Sequence, residues 1–201
     1  MKKTEGLTRA QKRDLRALSE QIHQNEPAYK RASNISFAIY LVAMVIAVFA
    51  FRAFLCEPIR VDGDSMISTL ENNELMLVEK FSQWTGLPRR GEIVICYYPG
   101  YTISCVKRVI GLPGDTVEVT GGVTYVNGIA LHEDYLYEPM WFDSPKVTVP
   151  EGTVFVMGDN RNWSEDSRDL LNVGCIPLEK VIGHVFAVMW PVSGIRSIGI
   201  G

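Results

Sequence analysis

Residues 103–120 read ISCVKRVIGLPGDTVEVT, and their texture decides the fold. Two short runs rich in Val and Ile flank the turn residues Pro113 and Gly114. In the second run Val117 and Val119 alternate with Glu118 and Thr120, as on a strand with one face covered. The same texture recurs on either side: LMLVEKF at 75–81, EIVICYY at 92–98, VTYVNGIAL at 123–131, TVFVMGD at 153–159 and HVFAVMW at 184–190. Gly121-Gly122 and Asn127-Gly128 are tight-turn dipeptides that supply positive φ. No long amphipathic helix separates these runs. Residues 57–201 are therefore expected to form a mainly β domain, an antiparallel sheet or barrel.

Ahead of this domain the chain changes character. Over all 201 residues it is 47% hydrophobic, with a net charge of −3. That hydrophobic content excludes a disordered chain. The even average conceals a division into net +4 for residues 1–34, +1 for 35–56 and −8 for 57–201. The acidic part repels phosphate, so nucleic acid is not an expected partner. From Ile35 to Phe51 no residue is charged, and 35–56 as a helix would be about 33 Å long against a bilayer core of about 30 Å. A cleaved leader is disfavoured, because 34 mostly polar residues come first and bulky Phe54 and Leu55 precede Cys56. The expectation is one N-terminal transmembrane helix at 35–56, with the lipid bilayer as a partner. Lys30 and Arg31 put the basic arm 1–34 in the cytoplasm and 57–201 on the extracytoplasmic side of the cell membrane. Leu7, Leu15, Leu18 and Ile22 share a helical stripe, so the arm is expected to hold a short amphipathic helix.

The cysteines at 56, 96, 105 and 175 form no CxxC pair, and no metal site is expected. Cys96 and Cys105 flank a turn-rich stretch; a pair across a hairpin and two free thiols both fit. His132 reads as a surface group and His184, in an apolar run, as a structural histidine. Met66, Ile67, Phe81, Trp84 and Leu87 are apolar candidates for a substrate pocket or a lipid contact.

Three stretches are too peculiar for scaffold alone. They are Val61-Asp62-Gly63-Asp64-Ser65-Met66-Ile67-Ser68-Thr69-Leu70, then Lys107-Arg108-Val109-Ile110-Gly111-Leu112-Pro113-Gly114-Asp115, then Gly158 to Arg168, GDNRNWSEDSR. In this order behind one anchor they resemble the type I signal peptidases, the Ser/Lys proteases that remove signal peptides from exported proteins. The resemblance implies an antiparallel β catalytic fold in which Ser65 is the nucleophile and Lys107 the general base. It further implies that Ser164 orients the lysine and that Asp166 and Arg168 form a supporting ion pair. Met66 and Ile67, beside Ser65, would contact substrate. The clients implied are signal peptides of secreted precursors, cut after small residues of the A-x-A type by a monomer that needs no cofactor. Two other readings stay open on the residues: a non-catalytic membrane-anchored β adaptor, and a peptidase of the same type with a restricted set of clients.

The residues bear on this chemistry directly. A serine hydroxyl needs a neighbouring base, and lysine serves as one only when neutral, which burial favours. Alternation puts Cys105, Lys107 and Val109 on one strand face and Val106, Arg108 and Ile110 on the other, so the pattern allows a buried lysine without choosing it over Arg108. The Ser65 N–H is the obvious donor to a developing oxyanion. In some relatives a hydroxyl two residues before the nucleophile is the second donor, and here that position is Gly63. Asp64 is expected to face solvent.

Overall fold

The computed structural model describes residues 8–54, 56–80, 86–100 and 102–199, with backbone alone for 23–32 and 50–54. Leu7, the His23 side chain, Phe81 and Trp84 fall outside the described positions. The chain divides into two compact units, 1–50 and 51–201.

The first unit is built on a single helix, α1 (Arg9–Phe54, 46 residues). This corrects two expectations. The amphipathic helix of the arm is not a separate element but runs on without a break, and the expected span does not end at Cys56, which already belongs to a strand. Among the described residues no helix is long and apolar enough to cross a membrane. The apolar stretch of the sequence, charge-free from Ile35 to Phe51, lies inside α1. Within that stretch Ile35, Phe37, Ile39, Val42, Ile46 and Phe49 are all exposed.

The second unit is mainly β and antiparallel throughout. Its larger sheet has the order β1-β2-β11-β3-β4-β9-β10, with β12 also paired to β11. The strands are β1 (Cys56–Arg60), β2 (Leu75–Glu79), β3 (Ile93–Tyr97), β4 (Ser104–Gly111), β9 (Thr153–Met157), β10 (Ile176–Pro177), β11 (Val181–Trp190) and β12 (Arg196–Ser197). A smaller sheet has the order β7-β6-β5-β8, made of β5 (Thr116–Thr120), β6 (Val123–Val126), β7 (Ile129–Ala130) and β8 (Ser144–Thr148). The type II pattern of Leu112-Pro113-Gly114-Asp115 joins them, with Gly114 at φ 84° and the Asp115 N–H donating to the Leu112 carbonyl oxygen at 3.0 Å.

Alternation along the central strands sends side chains into separate cores. Ile93 and Ile95 of β3 enter a cluster with Met66, Leu70, Met76, Val78 and Val188, whereas Val94 and Cys96 enter a second cluster with Val109, Val154, Val156 and Ile176. In β9, Val154 and Val156 face that second cluster while Phe155 and Met157 join Ile110, Val117 and Val119 in a third. Both faces of β3, β4 and β9 are therefore covered. This accounts for near-continuous apolar runs in strands that are antiparallel.

Candidate active site

β4 lies between β3 and β9, so every side chain of its second half is buried, charged or not. Lys107 is 4% exposed. Its Nζ stands 2.7 Å from the Oγ of Ser65 and donates to it. Ser65 lies in the loop between β1 and β2. The loop is closed at its base by the Val61 N–H donating to the Glu74 carbonyl oxygen at 2.8 Å and the Asn73 N–H donating to that of Val61 at 2.9 Å. Met66 and Leu70 pin it from below by entering the first core cluster. Asp64 is exposed, and Gly63 sits at φ 106°, where a side chain would be strained.

Burial pushes the Lys107 amine below its ordinary value of 10.5, against an opposing pull from Asp166, the two cysteines and Glu165. Among the described residues Lys107 makes no salt bridge. Cys96 and Cys105 are direct partners across β3 and β4, and both are free thiols. Burial pushes the Cys96 thiol up to about 12.

The segment after β9 packs against this pair. The Gly158 N–H donates to the Asp166 carboxylate at 3.0 Å, and Arg168 donates to the same carboxylate from Nε and Nη2, each at 2.8 Å. Ser164 comes close to the Ser65 loop: a methyl group on Gly158 would collide with both Ser164 Oγ and the Ser65 carbonyl oxygen. The Ser164 hydroxyl, expected against Lys107, has the Glu165 carbonyl oxygen at 3.5 Å as its hydrogen-bond partner among the described residues. A cleft of about 340 Å³ opens at Ser65 and Lys107, lined by residues 59–63 on one side and 103–107 on the other. Met66 contributes to its floor, although it is almost wholly core; Ile67 does not line it. Leu87 is exposed on the surface. His184 pairs with Glu79 at 2.9 Å and His132 with Asp134 at 3.4 Å, neither in the cleft. Among the described residues no group of His, Cys, Asp and Glu is arranged to hold a metal ion.

Sequence reading missed the frame behind the pair. Arg108, next to Lys107 but on the opposite face of β4, donates to Asp159 from Nε at 2.8 Å and from Nη2 at 2.7 Å, both side chains being buried. Thr69 also donates to Asp159, so the Ser65 loop is tied to the strand that carries the lysine. The Tyr135 ring lies 3.8 Å from the Arg108 guanidinium, and Arg161 pairs with Glu133. The detectable hint was Arg108, a charged residue inside the apolar run 103–111.

Residues 34–190 match the family described as signal peptidase, peptidase S26. The chain belongs to that family. It is 40% identical over 169 residues to a probable signal peptidase I-1 of Synechocystis, covering 80% of this chain and 84% of the relative. It is 38% identical over 178 residues to signal peptidase I of Bacillus licheniformis, covering 84% and 95%. The crystal structure of a signal peptidase I from Enterococcus faecalis, 36% identical, aligns with 49% of this chain and 97% of that one at a TM-score of 0.44. As a member of the peptidase S26 family, the chain is a serine peptidase.

Proposed function

We infer that this peptidase cleaves signal peptides from exported precursors after small residues, with Ser65 as nucleophile and Lys107 as general base. The observation that carries the reading is a buried lysine Nζ 2.7 Å from a serine Oγ at the mouth of a cleft. With the amine neutral, the Ser65 hydroxyl donates to its lone pair and Oγ attacks the scissile carbonyl. The Ser65 N–H faces the oxyanion that forms. Lys107, now an ammonium, gives its proton to the departing amine of the mature chain, leaving an ester on Ser65. A water molecule then loses a proton to Lys107 and attacks the ester, which frees the signal peptide and restores both groups. The cleft between 59–63 and 103–107 suits an extended segment held by backbone hydrogen bonds, with room for small side chains. Ser164 packs the nucleophile loop, and Asp166 with Arg168 braces the segment that presses on it. Both members of the pair come from one chain, so a monomer suffices.

The helical stretch 35–54 serves as a single-pass anchor, with residues 1–34 in the cytoplasm. Support comes from the charge-free run Ile35–Phe51, the basic flank, and a helix whose described apolar side chains are exposed. The test is cleavage of a precursor ending its signal in Ala-x-Ala by the purified full chain in detergent. Ser65→Ala and Lys107→Ala are each expected to lose at least about 1000-fold in rate. The wild-type rate should rise with pH to a plateau whose midpoint lies below 10.5, since the active form is the neutral amine. Near-full activity in either variant, or a rate flat with pH, would refute the dyad.

A further inference from the structure

The nucleophile loop is not a strand, so something must fix the direction of the Ser65 N–H, the donor on which oxyanion binding depends. Asn160, three residues past the end of β9, reaches both carbonyls that flank it. Its backbone N–H donates to the Ser65 carbonyl oxygen at 3.0 Å, and its side-chain Nδ2 donates to the Asp64 carbonyl oxygen at 3.0 Å. The Asp64 carbonyl and the Ser65 N–H belong to one planar, trans peptide unit and point in opposite directions. Holding the oxygen therefore holds the hydrogen. A peptide oxygen that accepts a hydrogen bond also polarises its own N–H and makes it a better donor. The Ser65 N–H itself donates to nothing among the described residues, which leaves it available.

A second observation points the same way. Asn160 is buried, and its Oδ1 has no hydrogen-bond partner among the described residues. A buried amide with one end unsatisfied costs stability that an apolar side chain of similar size would not. The end that is used, Nδ2 on Asp64, gives the residue its purpose.

We propose that Asn160 is a positioning residue for oxyanion stabilisation, clamping the two peptide planes around Ser65 so that the Ser65 N–H is aimed at the scissile carbonyl oxygen. The inference rests on Ser65 being the nucleophile. It is tested in the full chain in detergent with Asn160→Leu, which keeps bulk and removes the donor, and Asn160→Ala, which removes both. The probes are a precursor peptide and the matching peptide aldehyde, whose carbonyl adds the Ser65 oxygen and places a hemiacetal oxyanion where the transition state has one.

Both variants should lower kcat by about 10- to 100-fold, with KM within about twofold of wild type. The pH midpoint should not move, because Lys107 is untouched. Aldehyde affinity should weaken by the same factor as kcat/KM, and the melting temperature of Asn160→Leu should equal or exceed that of wild type. Unchanged kcat, or a lowered kcat with unchanged aldehyde affinity, would overturn the proposal. So would losses that only follow a falling melting temperature in both variants. A Ser65→Ala control separates the two layers: if it still cleaves, the nucleophile assignment fails, and the Asn160 inference fails with it.

Discussion

Folding and chemistry make opposite demands on Lys107. Burial disfavours an ammonium in that position, and the described residues facing it do not supply a salt bridge, so the folded chain binds the proton less tightly than the unfolded one. Stability must then rise with pH between the folded-state midpoint and 10.5, and be lower by the full amount below that midpoint. Lys107→Met should therefore raise the melting temperature, and by more at about pH 6 than at about pH 10. A gain that is the same at both values would show that the lysine is not buried as an ammonium. Gly158 supplies a second test at this scale. Its missing Cβ leaves space for Ser164 Oγ and the Ser65 carbonyl oxygen, so Gly158→Ala should displace the Ser65 loop and cost on the order of 100-fold in kcat while the protein still folds. Both expectations expose what the sequence could not decide. Lys107 and Arg108 looked alike, since each occupies an apolar strand. They differ only in what faces them: Arg108 meets Asp159 and the Tyr135 ring, whereas Lys107 meets a hydroxyl. Such partners come from residues tens of positions away, and no local pattern records them.

At the scale of elements, the strands that were legible are the covered ones. β2, β3, β4, β5, β6, β9 and β11 announced themselves through Val, Ile and aromatic residues, and the Gly-Gly and Asn-Gly turns have the positive φ that their composition required. The two-residue β10 and β12 were missed, and so were the longer β1 and β8. Each of the longer two carries a proline, Pro58 and Pro145, and each lies at the edge of its sheet, where a residue without an N–H is tolerated. A proline inside a run reads as a break unless one knows that the strand has only one neighbour. The link between the two sheets depends on Asp115. Burial alone would raise its carboxyl, but the Leu112 N–H, Asn127 and Arg90 all donate to it and hold it below the usual carboxylate range. Its contribution to stability is thus present above pH 3.8, the ordinary value, and is lost as the pH falls through the lower folded-state midpoint. Asp115→Ala should cost about 1–3 kcal/mol in chemical denaturation at neutral pH and much less at about pH 2. A cost independent of pH would mean that the side chain acts by packing, not by charge.

For the whole molecule, the question is what the first 55 residues add to a catalytic unit that does not need them to form a core. All three buried clusters lie between Val61 and Val188, and both members of the Ser/Lys pair lie inside those limits. A fragment of residues 56–201 should therefore unfold cooperatively and cleave a short water-soluble peptide within about twofold of the full chain's kcat/KM. Its behaviour on membrane-inserted precursors should differ. If 35–54 is a tether, enzyme and substrate share one surface, and attachment raises their effective concentration by about 100-fold or more without any new contact at the site. Reconstituted into vesicles, the full chain should outpace the fragment by such a factor on a precursor held in the same bilayer, while the two remain equal on the soluble peptide. The comparison isolates the tether because only the second substrate is free of the membrane. An equal loss on both substrates would mean instead that residues 1–55 support the fold of the active site, and an equal rate on both would leave the exposed apolar face of α1 without a role in catalysis.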